Sequence, residues 1–381
     1  MKNIATYRDH YRTVAVIDRQ SIVQNGSIAR KTFKEQKIMS VLKANAYGHG
    51  IENVLPAYEQ FTDSYAVATV EEGLAVRAGS DKPVLVFGPV PTEKMAEAAL
   101  AHLTLTVGSV AYAERLAKVL SRHGLSCECH LKIETGLNRS GIRFRSSEDA
   151  LADIKAAHRY PCLRFVGTYT HFACGEGTLG WEAEFSRMQY ERFLSACDAM
   201  QKEGLPIGIR HAAATGASLV HPEYRLDMVR LGMMPLGMSY SDESVSALGL
   251  RPALSWYSFI SEVRSIDAGE AVSYGCTYHA ASPRRIAVVT CGYADGYRRS
   301  YSGRTRVLVG GKYAPVIGRI AMDYCMIDVT EIENVKPGDS VILLGSDGKN
   351  FISAQEISER CESVSGEVTC AISPRVRRIV I

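Results

Sequence analysis

Between residues 37 and 236, short apolar runs alternate with segments in which apolar residues recur every three to four positions. The runs cover 37–44, 65–70, 83–88, 104–107, 128–135, 164–172, 208–214 and 227–234. Each has the length and continuity of a strand buried on both faces. The segments between them carry helical spacing and glycine stops. Tyr112, Leu116, Val119 and Leu120 lead to Gly124, and Tyr190, Phe193, Leu194, Cys197 and Met200 lead to Gly204 with Pro206 beyond. Eight strand-helix units predict an α/β fold, a (β/α)8 TIM-like barrel whose chemistry gathers at the C-terminal ends of its strands. After about residue 240 the rhythm changes to strands without helices, at 253–265, 285–290, 305–309, 314–329 and 339–344, with turns at Gly310-Gly311 and Pro337-Gly338-Asp339. The expected division is a barrel over 12–240 and a mostly β C-terminal domain over 241–381. Residues 1–18, with an extra strand at Val14–Asp18, are expected to join the β domain.

Composition narrows the function classes. The 381 residues are 46% hydrophobic and 22% charged, which is ordinary globular usage. With 44 basic and 41 acidic residues the net charge is +3, which gives no reason to expect nucleic acid or membrane as a partner. The ten cysteines are scattered, and Cys127 and Cys129 lack a metal or redox spacing, so the expectation is no metal and a reduced, cytoplasmic setting. The N-terminus has no apolar export core, and no stretch reaches the roughly 18 apolar residues needed to span a bilayer.

Candidate chemistry begins at Lys43, which closes the run Lys37-Ile-Met-Ser-Val-Leu-Lys43 and opens the loop Ala44-Asn-Ala-Tyr47-Gly-His-Gly50. A lysine desolvated at such a strand end loses part of its pKa of about 10.4 and becomes a nucleophile or base. Other strand ends carry Lys132-Ile-Glu-Thr-Gly-Leu-Asn-Arg139-Ser-Gly141, Tyr169-Thr-His171-Phe-Ala173, His211-Ala-Ala-Ala214-Thr215-Gly216 and Met228-Val-Arg230-Leu-Gly232. Beyond the barrel lie Ser273-Tyr274-Gly275, Gly292-Tyr293-Ala-Asp295-Gly296-Tyr-Arg-Arg299, Gly318-Arg319-Ile-Ala-Met322-Asp323 and Ile372-Ser-Pro374-Arg375.

Together, and in this order, these segments resemble the alanine racemases, a family of pyridoxal 5′-phosphate (PLP) enzymes. The resemblance implies a Schiff-base lysine at Lys43 and cofactor contacts from Tyr47, Arg139, His171, Thr215, Arg230 and Gly232. Arg139 and the Met322 N–H would meet the substrate carboxylate, and Lys132 is the position that is often carbamylated. Racemisation takes a proton from one face of a flattened substrate and returns one to the other, which calls for two bases, here Lys43 and Tyr274. In the family the tyrosine comes from the other subunit, which implies a homodimer with a shared active site. Tyr293, Arg299, Arg319 and Asp323 would line the approach corridor, and the product would be D-alanine for peptidoglycan. The chain departs from the family at Ala214, where asparagine is usual, at Leu236, and at Pro374, where a tyrosine normally holds the phosphate and crowds the substrate's methyl group. Proline opens that side, so the alternative expectation is a serine or broad-specificity racemase.

Overall fold

All eight apolar runs in the first part of the chain form strands, and all of these strands are parallel. The computed structural model describes residues 4–144, 146–239 and 242–381, so the expected domain boundary at 240/241 and the first three residues of the joining segment lie outside the described residues. In chain order, β1 (Thr13–Ile17) precedes the barrel strands β2 (Lys37–Val41), β3 (Ser64–Val67), β4 (Val84–Val86), β5 (Leu103–Val107), β6 (Cys127–Glu134), the short β7 (Ile142–Arg143), β8 (Leu163–Tyr169), β9 (Ile209–His211) and β10 (Met228–Leu231). Spatial order follows sequence order from β2 to β9, with β10 beside β2 and β7 paired to the end of β6. The ring closes between β9 and β10 through a bridge from Ala214 to Arg230 and a 3.1 Å hydrogen bond from the Arg230 N–H to the Ala213 carbonyl.

The helices form as their stripes dictate. Val110–Arg122 starts at Ser109, whose hydroxyl accepts the Tyr112 N–H at 3.2 Å, and it buries Tyr112, Ala113, Leu116, Ala117 and Leu120 along one face. One irregularity in the sheet matters for the site. The β6–β8 register steps from Cys129 opposite Phe165 to His130 opposite Gly167, so Val166 is an extra, bulged residue. Two glycines make room for it. A Cβ at Gly208 would lie 2.1 Å from the Val166 carbonyl carbon, and one at Gly167 would lie 2.6 Å from the His130 ring.

This barrel unit comprises Val23–Ala46 and Leu55–Pro235. A second unit comprises Met1–Ile22, Tyr47–Val54 and Leu236–Ile381. Its strands are β11 (Leu254–Ile266), β12 (Ala271–Val272), β13 (Tyr278–His279), β14 (Arg284–Val289), β15 (Arg306–Val309), β16 (Lys312–Ile317), β17 (Cys325–Asp328), β18 (Ser340–Ser346), β19 (Phe351–Ile352) and β20 (Arg377–Val380). Antiparallel pairing runs β18-β15-β16-β17-β14-β11, and β11 returns to β18. The long β11 serves both neighbours by bending at a register shift between Ile260 and Glu262. β1 adds to the far side of β11, antiparallel, and carries β20 parallel beyond it. The run 314–329, read from the sequence as one strand, is two: β16 and β17 are separated by a loop over 318–324 that holds Arg319, Met322 and Asp323. Among the described residues no helix is long and apolar enough to cross a membrane.

Candidate active site

A barrel of this kind ordinarily fills its interior with layers of branched aliphatic side chains. At the C-terminal end of this one the buried layer is polar. His130 and Lys132 on β6, Tyr169 on β8, His211 on β9 and Arg230 on β10 are all at least nine-tenths inaccessible. Arg230 sits at the centre. Its Nη1 donates to the His211 carbonyl and to Nδ1 of His211, both at 3.0 Å. The two hydrogens of its Nη2 are shared among three acceptors, the carbonyls of Thr170 at 3.0 Å and Ala212 at 2.6 Å and Nδ1 of His171 at 3.1 Å. Among the described residues none of these contacts uses the Nε–H. Behind Arg230, Nε2 of His211 lies 2.9 Å from Nδ1 of His130. The Tyr169 ring stacks on His211 at 4.8 Å and 7°, and its hydroxyl pairs with Thr106 at 3.1 Å.

Electrostatics follow from burial and from the sign of the neighbours. Burial, then the Arg230 charge, pulls His130 down to about 4, and the same causes hold His211 well below its ordinary value. His171 is held well below its ordinary value by burial and by the positive charges of Arg230, Arg139, Lys132 and Lys43. All three rings are neutral at pH 7. Burial lowers Arg230 to about 10, which leaves it charged. Lys132 falls to about 8 through burial and the charges of Arg139 and Arg230, and its Nζ donates to the Ser140 hydroxyl at 2.6 Å. The nearby acid, Glu134, turns to the backbone, accepting the N–H groups of Gly136 at 2.5 Å and Arg139 at 3.2 Å. Four cations therefore converge on one rim with the local carboxylate otherwise engaged, a donor set that calls for an anion.

Lys43 follows β2 and stands exposed, rather than desolvated as its place after an apolar run suggested. The reason lies in the backbone after it. Ala44, Asn45, Ala46 and Tyr47 all have φ between 51° and 55°, a left-handed turn made without glycine. Glu72 holds this turn, accepting the Asn45 N–H at 3.1 Å and the Ala68 N–H at 2.9 Å. Thr215 is buried at the start of the helix Thr215–Val220, where its hydroxyl accepts the Gly232 N–H at 3.2 Å. Ala214 precedes it and supplies no cap. Arg139 is exposed on the loop after β6. Tyr47 falls in the second unit, half-buried, with its hydroxyl held well above the ordinary value chiefly by burial.

In the β unit the remaining candidates share one corner. Tyr274 stands 69% exposed on a tight turn whose Ser273 hydroxyl donates to the Arg319 carbonyl at 2.5 Å. The N–H groups of Tyr293 and Ala294 donate to the carbonyls of Ala321 and Met322, each at 3.0 Å, and among the described residues the Met322 N–H carries no hydrogen bond. Pro374 is exposed in a turn anchored by Arg375, which pairs with Asp295 at 2.9 Å and with Asp323 at 2.7 Å. Arg299 is exposed on the segment that follows Asp295. Sequence reasoning passed over His130, Tyr169, Ser140 and the Arg375 clamp. The only trace of them was their alternation with the chosen residues, as in His130/Lys132 and Tyr169/His171.

Known proteins similar to this chain share one family. The chain matches the family models "Alanine racemase, N-terminal domain" over residues 17–240 and "Alanine racemase, C-terminal domain" over residues 253–380. It is 36% identical over 368 residues to alanine racemase 2 of Caldanaerobacter subterraneus subsp. tengcongensis, covering 96% of this chain and 94% of that protein. Among solved structures it is similar to alanine racemase from Streptomyces lavendulae, with a TM-score of 0.90 and 30% identity over 97% of each chain. It is also similar to the Bacillus anthracis alanine racemase solved with bound L-Ala-P, with a TM-score of 0.89 and 31% identity over 98% of this chain and 95% of that one.

Proposed function

The chain belongs to the alanine racemase family, and from that premise we propose that it interconverts L- and D-alanine with pyridoxal 5′-phosphate as its cofactor. The observation that carries the cofactor is the cationic rim of Lys43, Lys132, Arg139 and Arg230 around a neutral His171. A phosphate ester with an aromatic ring and an acceptor nitrogen suits that donor set. When bound, the cofactor supplies an aldehyde that captures an amine and a conjugated ring that delocalises the charge left by a departing α-proton.

The chain's own residues do the rest. Lys43 would hold the cofactor through its aldehyde and would move the α-proton on one face. Tyr274, supplied across a homodimer, moves it on the other. Arg230, whose Nε–H is not used by its contacts among the described residues, would offer that donor to the ring nitrogen. Because a guanidinium does not give up its proton, Arg230 would leave such a nitrogen unprotonated and the ring a weak electron sink. A weak electron sink of that kind would favour racemisation over transamination. His171 faces the ring as a neutral imidazole, Thr215 and the Gly232 backbone serve the phosphate, and Tyr47 adds a phenol. Arg139 and the Met322 N–H receive the substrate carboxylate, while Tyr293, Arg299, Arg319 and Asp323 line the corridor.

The test is chiral analysis of PLP-loaded protein given L-alanine, L-serine, L-lysine and L-arginine side by side in deuterated water. Alanine is expected to turn over fastest, with α-deuterium in both enantiomers and loss of turnover in Lys43→Ala. A different winning substrate would assign the specificity to the side opened by Pro374, and no turnover of any of the four would overturn the reading.

A further inference from the structure

His130 takes no direct part in that reaction, yet its ring lies in a built slot. The Val166 bulge brings Gly167 opposite His130, and a Cβ there would fall 2.6 Å from the ring atoms Cε1 and Nε2, so the imidazole lies flat against bare backbone. From this slot Nδ1 of His130 meets Nε2 of His211 at 2.9 Å, and Nδ1 of His211 meets Nη1 of Arg230 at 3.0 Å.

The donors and acceptors in this chain have one solution. A guanidinium only donates, so Nδ1 of His211 must carry a lone pair. The proton of neutral His211 is then on Nε2 and points at His130, whose Nδ1 must accept it. The same logic puts the His171 proton on Nε2, because its Nδ1 faces Nη2 of Arg230 at 3.1 Å.

We propose that His130 is a positioning residue for this active site: by accepting the His211 proton it fixes the tautomer of His211, and with it the plane of Arg230 and the aim of its Nε–H. Without an acceptor at position 130, the His211 Nε2–H becomes an unpaired donor in a buried layer, which is costly. The other neutral tautomer sets the His211 Nδ1–H against the Arg230 Nη1–H, donor against donor, and displaces the guanidinium. Charging His211 is opposed by its burial and by Arg230. The catalytic consequence rests on the racemase reading above, whereas the tautomers do not.

Two measurements test this separately. Long-range proton-nitrogen correlations on 15N-histidine-labelled protein, with and without PLP, are expected to show the Nε2–H form for His130, His171 and His211; an Nδ1–H form at His211 overturns the relay. In kinetics, His130→Leu is expected to lower kcat roughly 10–100-fold and to shift the cofactor's absorption band. The KM for alanine should stay within about twofold, because the substrate contacts are untouched. His130→Asn places an amide oxygen where Nδ1 was and is expected to recover most of kcat. Gly167→Ala removes no polar group and is expected to reproduce the leucine variant by displacing the ring. Equal losses in the leucine and asparagine variants, at matched thermal stability, would mean that the ring only fills space. Unchanged kcat and absorption in the leucine variant would remove the positioning role altogether. A wild-type chain with the expected tautomers but no turnover would instead sink the racemase reading and the catalytic half of this proposal with it.

Discussion

Lys132 illustrates how a single residue's surroundings set its chemistry. Burial and two neighbouring cations bring it down to about 8, so an appreciable share of its amine is neutral near pH 7. A neutral amine adds carbon dioxide: its lone pair bonds to the carbon, a proton leaves to water, and a carbamate anion remains. At Lys132 that change would turn a repulsive neighbour of Arg139 into an attractive one. With 13C-bicarbonate, a carbamate resonance is expected that is stronger above about pH 8 than at about pH 6 and is missing in Lys132→Ala. No resonance at either pH would leave Lys132 an ordinary ammonium bonded to Ser140. The sequence made some of this site legible and not the rest. Lys43, Arg139, His171 and Arg230 sit in segments with strong order and spacing. His130 and His211 are lone strand histidines, and only the β6–β8 bulge and the ring-to-ring distances give them a direction.

Elements were read well where burial alone decides them. The barrel strands are apolar on both faces, so their runs stood out, and the stripe ending at Gly124 marked a helix that stops at Arg122. They were read poorly where backbone geometry decides. The apolar pattern continues across Gly318–Tyr324 although the chain leaves the sheet there. Within Ala44-Asn-Ala-Tyr47 only Asn45 hints at a left-handed turn, which costs other L-residues roughly 1–2 kcal/mol each and must be held from outside. Glu72 is one such support, spanning the turn and the end of β3 with its two oxygens. Glu72→Ala is expected to destabilise the barrel by about 1–3 kcal/mol. The same change should speed hydrogen exchange at Asn45 and weaken PLP retention, with Glu72→Gln intermediate. Unaltered exchange at Asn45 would show that the turn is held by other contacts.

At the scale of the whole molecule, the β unit carries its proposed base on open surface. Tyr274 is 69% exposed, and Met322, Tyr324 and Tyr293 are exposed at 53%, 44% and 42%. Hydrogen bonds join the loops of Tyr293 and Met322, and the Tyr274 turn is tied to Arg319. A concentration of large apolar side chains on one corner marks an interaction surface. If that surface meets the barrel of a second copy, each active site takes Lys43 from one protomer and Tyr274 from the other. Two inactive variants can then rescue each other. In a heterodimer of Lys43→Ala and Tyr274→Phe, one site has lost both bases and the other is wholly wild type. Random re-pairing makes half the dimers mixed, so denaturing and refolding the two variants together should recover about a quarter of wild-type activity, while either alone recovers none. Sites confined to single protomers would show no rescue at any mixing ratio, because every site would still carry one of the two defects.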